Sequence, residues 1–318
     1  MIRRLRKSKS IRDLVAEAEL SPNDFVMPLF VIEGENIVQE IETFPEVRRY
    51  SVDRLIEEVK VLRDKEIKSV LLFGVIDEIK KDDIASYSYK EDNVVCKAIR
   101  EIKNKFDDVV VIADVCVCGY TTHGHCGIWN GDWVDNNKTL EVLSLSALNY
   151  ARAGVDIVAP SAMMDHQVKA IRKTLDENGF ERTLIMSYSA KYSSSFYGPF
   201  RDIVGSSPKF SDRKTYQMDY RNIRQSLEEV RQDIEEGADI VMVKPALSYL
   251  DVIREIRNNF NVPLAAYNVS GEYSMVKVAS KNGIFNEKDI AMEILYSIKR
   301  AGADIIISYW AKDVPDWL

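Results

Sequence analysis

The chain has 318 residues, 46% of them apolar and 29% charged, which is enough to bury a large core and falls between one large barrel and two ordinary domains. Its 43 Lys+Arg against 50 Asp+Glu leave a formal charge of −7, which argues against a nucleic acid or a membrane surface as the main partner. Four cysteines in a chain of this length do not make a disulfide scaffold.

Residues 1–24 read as an N-terminal arm. Arg3, Arg4, Arg6, Lys7, Lys9 and Arg12 make its start basic, but no signal-peptide core accompanies them and no later run approaches a membrane span, so a cytoplasmic location is expected. Such an arm is a solvated or subunit-wrapping segment rather than a nucleic-acid tail. From residue 25 onward, short apolar runs alternate with helical patterns. The runs are Phe25 to Ile32, Ser69 to Phe73, Val109 to Ala113, Asp156 to Ala159, Thr183 to Met186, Asp239 to Val243, Pro263 to Tyr267 and Asp304 to Ile307. Amphipathic stretches between them run over Val52 to Lys65, Asn93 to Lys105, Thr139 to Arg152, Gln167 to Asn178, Arg224 to Glu236, Leu250 to Asn259 and Glu287 to Arg300. Gly154, Gly237 and Gly302 each stop a helix just before a run, as recurring turns of one architecture would. Eight parallel strands joined by helices predict a TIM (β/α)8 barrel over 25–318, with a lid at about 193–219. A doubly wound open sheet is the alternative, but no Gly-rich phosphate fingerprint follows the first run.

Barrel active sites are built from loops at the carboxyl ends of the strands, so the polar residues after each run are the candidates. Lys244 follows the wholly apolar Ile240-Val241-Met242-Val243, where burial makes an ammonium costly and a neutral, nucleophilic amine accessible. Its alternative is a lysine that snorkels out of the mouth. Lys191 follows the fifth run in a polar turn at the same barrel end, so two lysines could lower one another's pKa and serve two carbonyl substrates. Cys116, Cys118 and Cys126 fall within eleven residues and suggest an open thiolate zinc site. His125 as a fourth ligand, or three reduced cysteines without metal, are the alternatives; Cys96, alone on a helical pattern, reads as core. The stretch 193–219 lacks a strand and carries Arg201, Lys209, Arg213 and Lys214 with Phe196, Tyr197, Phe200, Phe210 and Tyr216, which favours a lid whose arginines meet a carboxylate over a merely solvated loop.

At these residues the sequence resembles the porphobilinogen synthase (5-aminolevulinate dehydratase) family, over nearly its whole length. The matching blocks include Arg3-Arg4-Leu5-Arg6, Pro28-Leu29-Phe30-Val31, Val158-Ala159-Pro160-Ser161, Met186-Ser187-Tyr188-Ser189-Ala190-Lys191, Phe196-Tyr197-Gly198-Pro199-Phe200-Arg201-Asp202, Met242-Val243-Lys244-Pro245 and Val269-Ser270-Gly271-Glu272. The resemblance implies a lyase that condenses two 5-aminolevulinate molecules to porphobilinogen with loss of two waters, in haem and other tetrapyrrole synthesis. It implies that Lys244 holds the first substrate as a Schiff base and Lys191 the second, with Asp114 and Ser161 beside the reacting groups. Ser270 and Tyr309 match the first substrate's carboxylate site, and Arg201, Arg213 and Gln217 the second's; Tyr197, Phe200 and Tyr267 are further substrate-binding candidates. Cys116, Cys118 and Cys126 match the Zn²⁺ ligands of the metal-requiring branch, and Glu229 the site of an allosteric Mg²⁺ in some members. The arm matches one that wraps a neighbouring subunit in a homo-octamer. The sequence departs from the family pattern at Ala162-Met163-Met164-Asp165-His166-Gln167, where an Asp-Met-Met-Asp-Gly-Arg run is usual, at Trp129 to Trp133, and at Thr43-Phe44-Pro45-Glu46. Two rival classes are a one-lysine aldolase-type barrel without thiolate metal, and a non-catalytic homologue that keeps the barrel as a binding module.

Overall fold

The computed structural model describes residues 2–318. Eight parallel strands form its centre: β1 (Phe25–Ile32), β2 (Ser69–Val75), β3 (Val110–Val115), β4 (Ile157–Pro160), β5 (Leu184–Lys191), β6 (Ile240–Lys244), β7 (Leu264–Asn268) and β8 (Ile305–Ser308). Each pairs with the next, and Phe25 and Val26 of β1 pair with Ile306 and Ile307 of β8, which closes the sheet into a TIM barrel and excludes the open-sheet alternative. The expected strands are all present.

Local sequence explains the elements. The helix Val94–Lys105 starts at Asn93, whose side chain accepts the Cys96 N–H at 2.9 Å, and it buries Val95, Ala98, Ile99 and Ile102 at helical spacing against the sheet. Helices Asn136–Arg152, Arg224–Glu235 and Glu287–Ala301 run into Gly154, Gly237 and Gly302 at φ +96°, +104° and +126°, a region open to glycine but strained for other residues. Strands β1 to β8 are buried along most of their length because helices cover the outside and side chains fill the inside. Phe30 is fully buried and stacks on Phe73 at 5.4 Å; truncating it to alanine would cost about 3–5 kcal/mol.

Two features go beyond the sequence pattern. An antiparallel hairpin, Val38–Glu40 with Arg48–Ser51, continues the sheet beyond β1. A helix over Ser270–Lys281 follows β7 directly, so that two helices, not one, lie between β7 and β8. Residues 2–24 hold three short helical segments, Ile2–Arg6, Lys9–Leu14 and Pro22–Asp24, none with a buried residue, and Ile2, Leu5 and Leu14 are exposed. Among the described residues no helix is long and apolar enough to cross a membrane.

Candidate active site

Lys191 and Lys244 are direct Cα partners across the β5–β6 ladder. Their alignment depends on an irregularity in that ladder. Ile240 pairs with Met186 and Val241 with Ser187, but Val243 pairs with Ala190, so β5 spends one more residue than β6 over the same rise. Side chains alternate along a strand, and an unbulged β5 would set Ala190 beside Lys244 and turn Lys191 to the opposite face. The bulge at Tyr188-Ser189 restores the parity and aims both lysines inward. Sequence reading ended the fifth strand at Met186 and placed Lys191 in the following turn; the structure corrects this, since β5 continues to Lys191 as its last residue. Apolar periodicity stops at Met186 because the barrel mouth is polar inside, while the backbone ladder goes on.

Both amines are dry. Lys191 and Lys244 are 5% exposed, and each ammonium lies near the Tyr188 ring, at 5.4 and 5.0 Å from its centroid. Lys191 Nζ donates to the Ser161 carbonyl, and Lys244 Nζ is boxed by Tyr267 at 4.2 Å, Phe200 at 4.9 Å and Tyr197 at 5.3 Å. Burial, reinforced by the Lys191 charge, lowers the Lys244 ammonium to about 7, against the opposing pull of Asp114 and the nearby sulfurs. Asp114, near the end of β3, is raised to about 6 by burial, although Lys191, the Ser161 side chain and Lys244 all favour its charge. One Asp114 oxygen and the Tyr188 hydroxyl are buried without a hydrogen-bond partner. Native interiors seldom leave polar atoms unmet, so such a group of them beside two reactive amines marks a place where a ligand belongs.

Cys116 and Cys118 lie just past β3, in a turn fixed by the Tyr120 N–H bond to the Val117 carbonyl at 2.9 Å. The Thr121 hydroxyl donates to the His125 carbonyl at 3.2 Å, which brings the chain back and sets Cys126 beside them. The three sulfurs are buried and lie within 4.8 Å of one another, close to the spacing of about 3.8 Å that tetrahedral Zn–S bonds of about 2.3 Å require. Hydrogen bonds from Cys116 and Cys118 hold the Cys126 thiol well below its ordinary value, while the same sulfur contacts and burial push Cys116 up. A buried set of three clustered sulfurs suits a soft divalent cation. His125 does not complete the set: its Nδ1 faces the Tyr216 hydroxyl at 3.1 Å and its Nε2 the Phe210 carbonyl at 3.0 Å. Cys96 is core, as expected.

The stretch 193–219 packs down over the barrel mouth. Its first half, expected as loop, is helical over Ser195–Tyr197 and Gly198–Val204. Phe200 from this segment reaches Phe73 at 5.0 Å and Phe30 at 5.8 Å. The hairpin helps to hold it, because Arg49 donates to the carbonyls of Ile203 at 2.7 Å and Asp202 at 3.1 Å. Gly271 permits the approach: a Cβ there would lie 2.6 Å from the Phe196 carbonyl oxygen. Arg201 and Arg213 each have a buried Nε without a partner, and Gln217 has neither its oxygen nor its nitrogen paired. Burial acts against the Arg213 charge, yet the Cys126 and Cys118 sulfurs outweigh it and keep the guanidinium protonated. Two arginines and an amide with idle donors under one lid form a receptor for an anion. On the other side, the Tyr267 and Tyr309 hydroxyls meet at 3.0 Å, while the Ser270 hydroxyl donates to the Phe196 carbonyl at 3.2 Å and accepts the Phe200 N–H at 3.1 Å.

The remaining expected residues lie outside this cluster. Glu229 sits on helix Arg224–Glu235, accepts from Gln225 at 3.1 Å, and gathers no set of three ligand groups among the described residues. The departures at 162–167 are accommodated: Ala162 is buried, His166 pairs with Glu236 at 2.6 Å on the surface, and the Gln167 amide bonds the Pro160 carbonyl at 3.4 Å. Sequence reading missed Phe44, which packs edge-on to Tyr309 at 4.7 Å from the hairpin; no periodic signal marks a residue in so short a loop.

Comparison with known proteins gives one answer. The family model for delta-aminolevulinic acid dehydratase matches residues 1–317. A delta-aminolevulinic acid dehydratase of Bacillus subtilis is 52% identical over 316 residues, covering 99% of this chain and 97% of its own, and one of Helicobacter pylori is 51% identical over 318, covering 100% and 98%. The crystal structure of a delta-aminolevulinic acid dehydratase (porphobilinogen synthase) from Toxoplasma gondii, in complex with its product porphobilinogen, superposes with a TM-score of 0.98 at 42% identity over 100% of this chain and 91% of that one. A 7,8-dihydropteroate synthase from Vibrio fischeri, at TM-score 0.51 and 12% identity over 94% of this chain and 92% of its own, shares the fold alone. The chain belongs to the delta-aminolevulinic acid dehydratase family.

Proposed function

We propose that this protein is a lyase that joins two 5-aminolevulinate molecules into porphobilinogen, releasing two waters, in tetrapyrrole synthesis. The observation that carries the reading is the registered pair of buried lysines under a lid. An uncharged Lys244 amine adds to the ketone of the first substrate, and the carbinolamine sheds its oxygen as water to give a Schiff base. Lys191 takes the second ketone in the same way. Both lysines leave again as amines when the carbon–carbon and carbon–nitrogen bonds between the substrates form, so two substrates give one product and two waters. Asp114, beside both amines, and Ser161, beside Lys191 and Asp114, move the protons these steps require. Ser270, Tyr309 and Tyr267 hold the first carboxylate, and Arg201, Arg213 and Gln217 the second, while Tyr197 and Phe200 exclude water. Cys116, Cys118 and Cys126 would hold Zn²⁺, which when bound supplies a Lewis acid to polarise a carbonyl or hydroxyl oxygen. The exposed apolar side chains of Ile2, Leu5 and Leu14 support the arm as a subunit contact in a homo-octamer, and Glu229 is assigned to a Mg²⁺ site that modulates activity. A cytoplasmic location suits such an enzyme.

Borohydride added to the purified protein with 5-aminolevulinate should reduce the Schiff base and fix substrate mass on Lys244, read by peptide mass spectrometry, and without borohydride porphobilinogen should accumulate. Product formation undiminished in Lys244→Ala would refute the assignment.

A further inference from the structure

Glu272 has no place in the chemistry above, yet it is fully buried at the first turn of helix Ser270–Lys281 with no lysine or arginine paired to it among the described residues. Its Oε1 accepts the Leu247 N–H at 2.8 Å, and its Oε2 accepts the Asn268 amide at 3.0 Å and the Val269 N–H at 3.0 Å. The chain of bonds continues, because Asn268 Oδ1 accepts the Ser308 hydroxyl at 3.0 Å and Ser308 Oγ accepts the Trp310 N–H at 3.2 Å. Asn268 and Ser308 are also fully buried. The network therefore ties together the ends of β6, β7 and β8. Those three ends carry Lys244, Ser270 and Tyr309.

The coincidence has a chemical meaning. A γ-keto acid held by a Schiff base at its ketone and by hydrogen bonds at its carboxylate fits only if the lysine and the carboxylate-binding groups stand at one fixed separation. A buried carboxylate without a cation is a costly way to join strands for stability alone, since an apolar contact would do so without the desolvation. Three-way acceptance by a fully buried acid is instead suited to fixing distance. We propose that Glu272 is a positioning residue that sets the spacing between Lys244 and the Ser270–Tyr309 carboxylate site, and so makes the first-substrate site selective for γ-keto acids over keto acids of other lengths.

This rests on the function proposed above. The test uses borohydride trapping on Lys244 with 4-oxopentanoate, which keeps the ketone-to-carboxylate spacing, and 5-oxohexanoate, which adds one methylene. The unaltered protein should favour the shorter acid by about tenfold or more, the discrimination one methylene commonly gives. In Glu272→Ala this preference should fall to near unity while Lys244 is still modified by both acids, and Glu272→Gln, which keeps the shape but turns an amide toward an N–H donor, should lie between. An unchanged ratio in a folded variant, even with both rates lowered equally, overturns the inference and leaves the proposed function standing. Should Glu272→Ala fail to fold, the ratio in Glu272→Gln decides alone. No trapping of either acid by the unaltered protein removes both.

Discussion

Lys244 is maintained at the expense of stability, and Lys244→Met should expose this. The ordinary lysine value of 10.5 falls to about 7 here because burial and Lys191 oppose the charge. Between those values the unfolded chain binds the proton and the folded one does not, so lowering the pH through the window favours unfolding. The full cost is present below about pH 7 and is gone above about 10.5. At pH 7 a shift of this size corresponds to about 4 kcal/mol, at about 1.4 kcal/mol per tenfold, and at pH 10 to about 1 kcal/mol. The surrounding ring faces partly solvate the cation, which makes these upper bounds. Methionine fills a similar volume without the charge. With an unfolding entropy of about 2 cal/mol/K per residue, about 4 kcal/mol raises the melting temperature of a chain this long by about 6 °C. Circular dichroism melts at pH 7, 8.5 and 10, at equal protein concentration, should show Lys244→Met melting higher than the parent, with the gap narrowing as pH rises, while product formation is lost. A variant that melts lower at pH 7, or a gap that does not change with pH, would show that the amine is charged and comfortable, and the nucleophile argument would fail.

Three further expectations follow from the site. Gly271→Ala places a Cβ 2.6 Å from the Phe196 carbonyl oxygen, so the lid should stand off at a cost of about 1–3 kcal/mol, read as faster tryptic cleavage at Lys209 and a higher KM; unchanged protection would mean that the lid is not seated on this helix. Arg201→Ala, which removes a buried guanidinium with an idle Nε, should raise KM by about 10- to 100-fold while leaving single-substrate trapping on Lys244 intact; loss of that trapping would place Arg201 at the first-substrate site instead. Cys126→Ser removes one of the three clustered sulfurs, so protein purified from zinc-supplemented medium should lose its metal on gel filtration in chelator-free buffer; retention would mean that the ion is held elsewhere.

The strand pattern was readable because a parallel sheet covered on the outside and filled on the inside needs continuous apolar runs, and Phe25–Ile32 appears with the same bounds in sequence and structure. The three glycine turns and the cysteine cluster were readable for a similar reason, as each is local chemistry within a few residues. The hairpin and the helix Ser270–Lys281 were not. Val38–Glu40 is fully exposed and shows no periodicity, and the helix buries Ser270, Glu272 and Lys277 beside Tyr273 and Val276, so its inner face looks polar. The sequence could name Lys191 and Lys244 as two lysines at one end of a barrel, since residue type and strand order settle that much. Whether they face each other depended on one extra residue in β5, which acquires meaning only against the ladder of β6. The same holds for Glu272, whose bonding partners lie at the ends of β6 and β7, with Asn268 passing the link on to Ser308 of β8. Composition and periodicity act along the chain, whereas register and buried polar pairing are settled between strands distant in sequence, and only barrel closure brings those strands together.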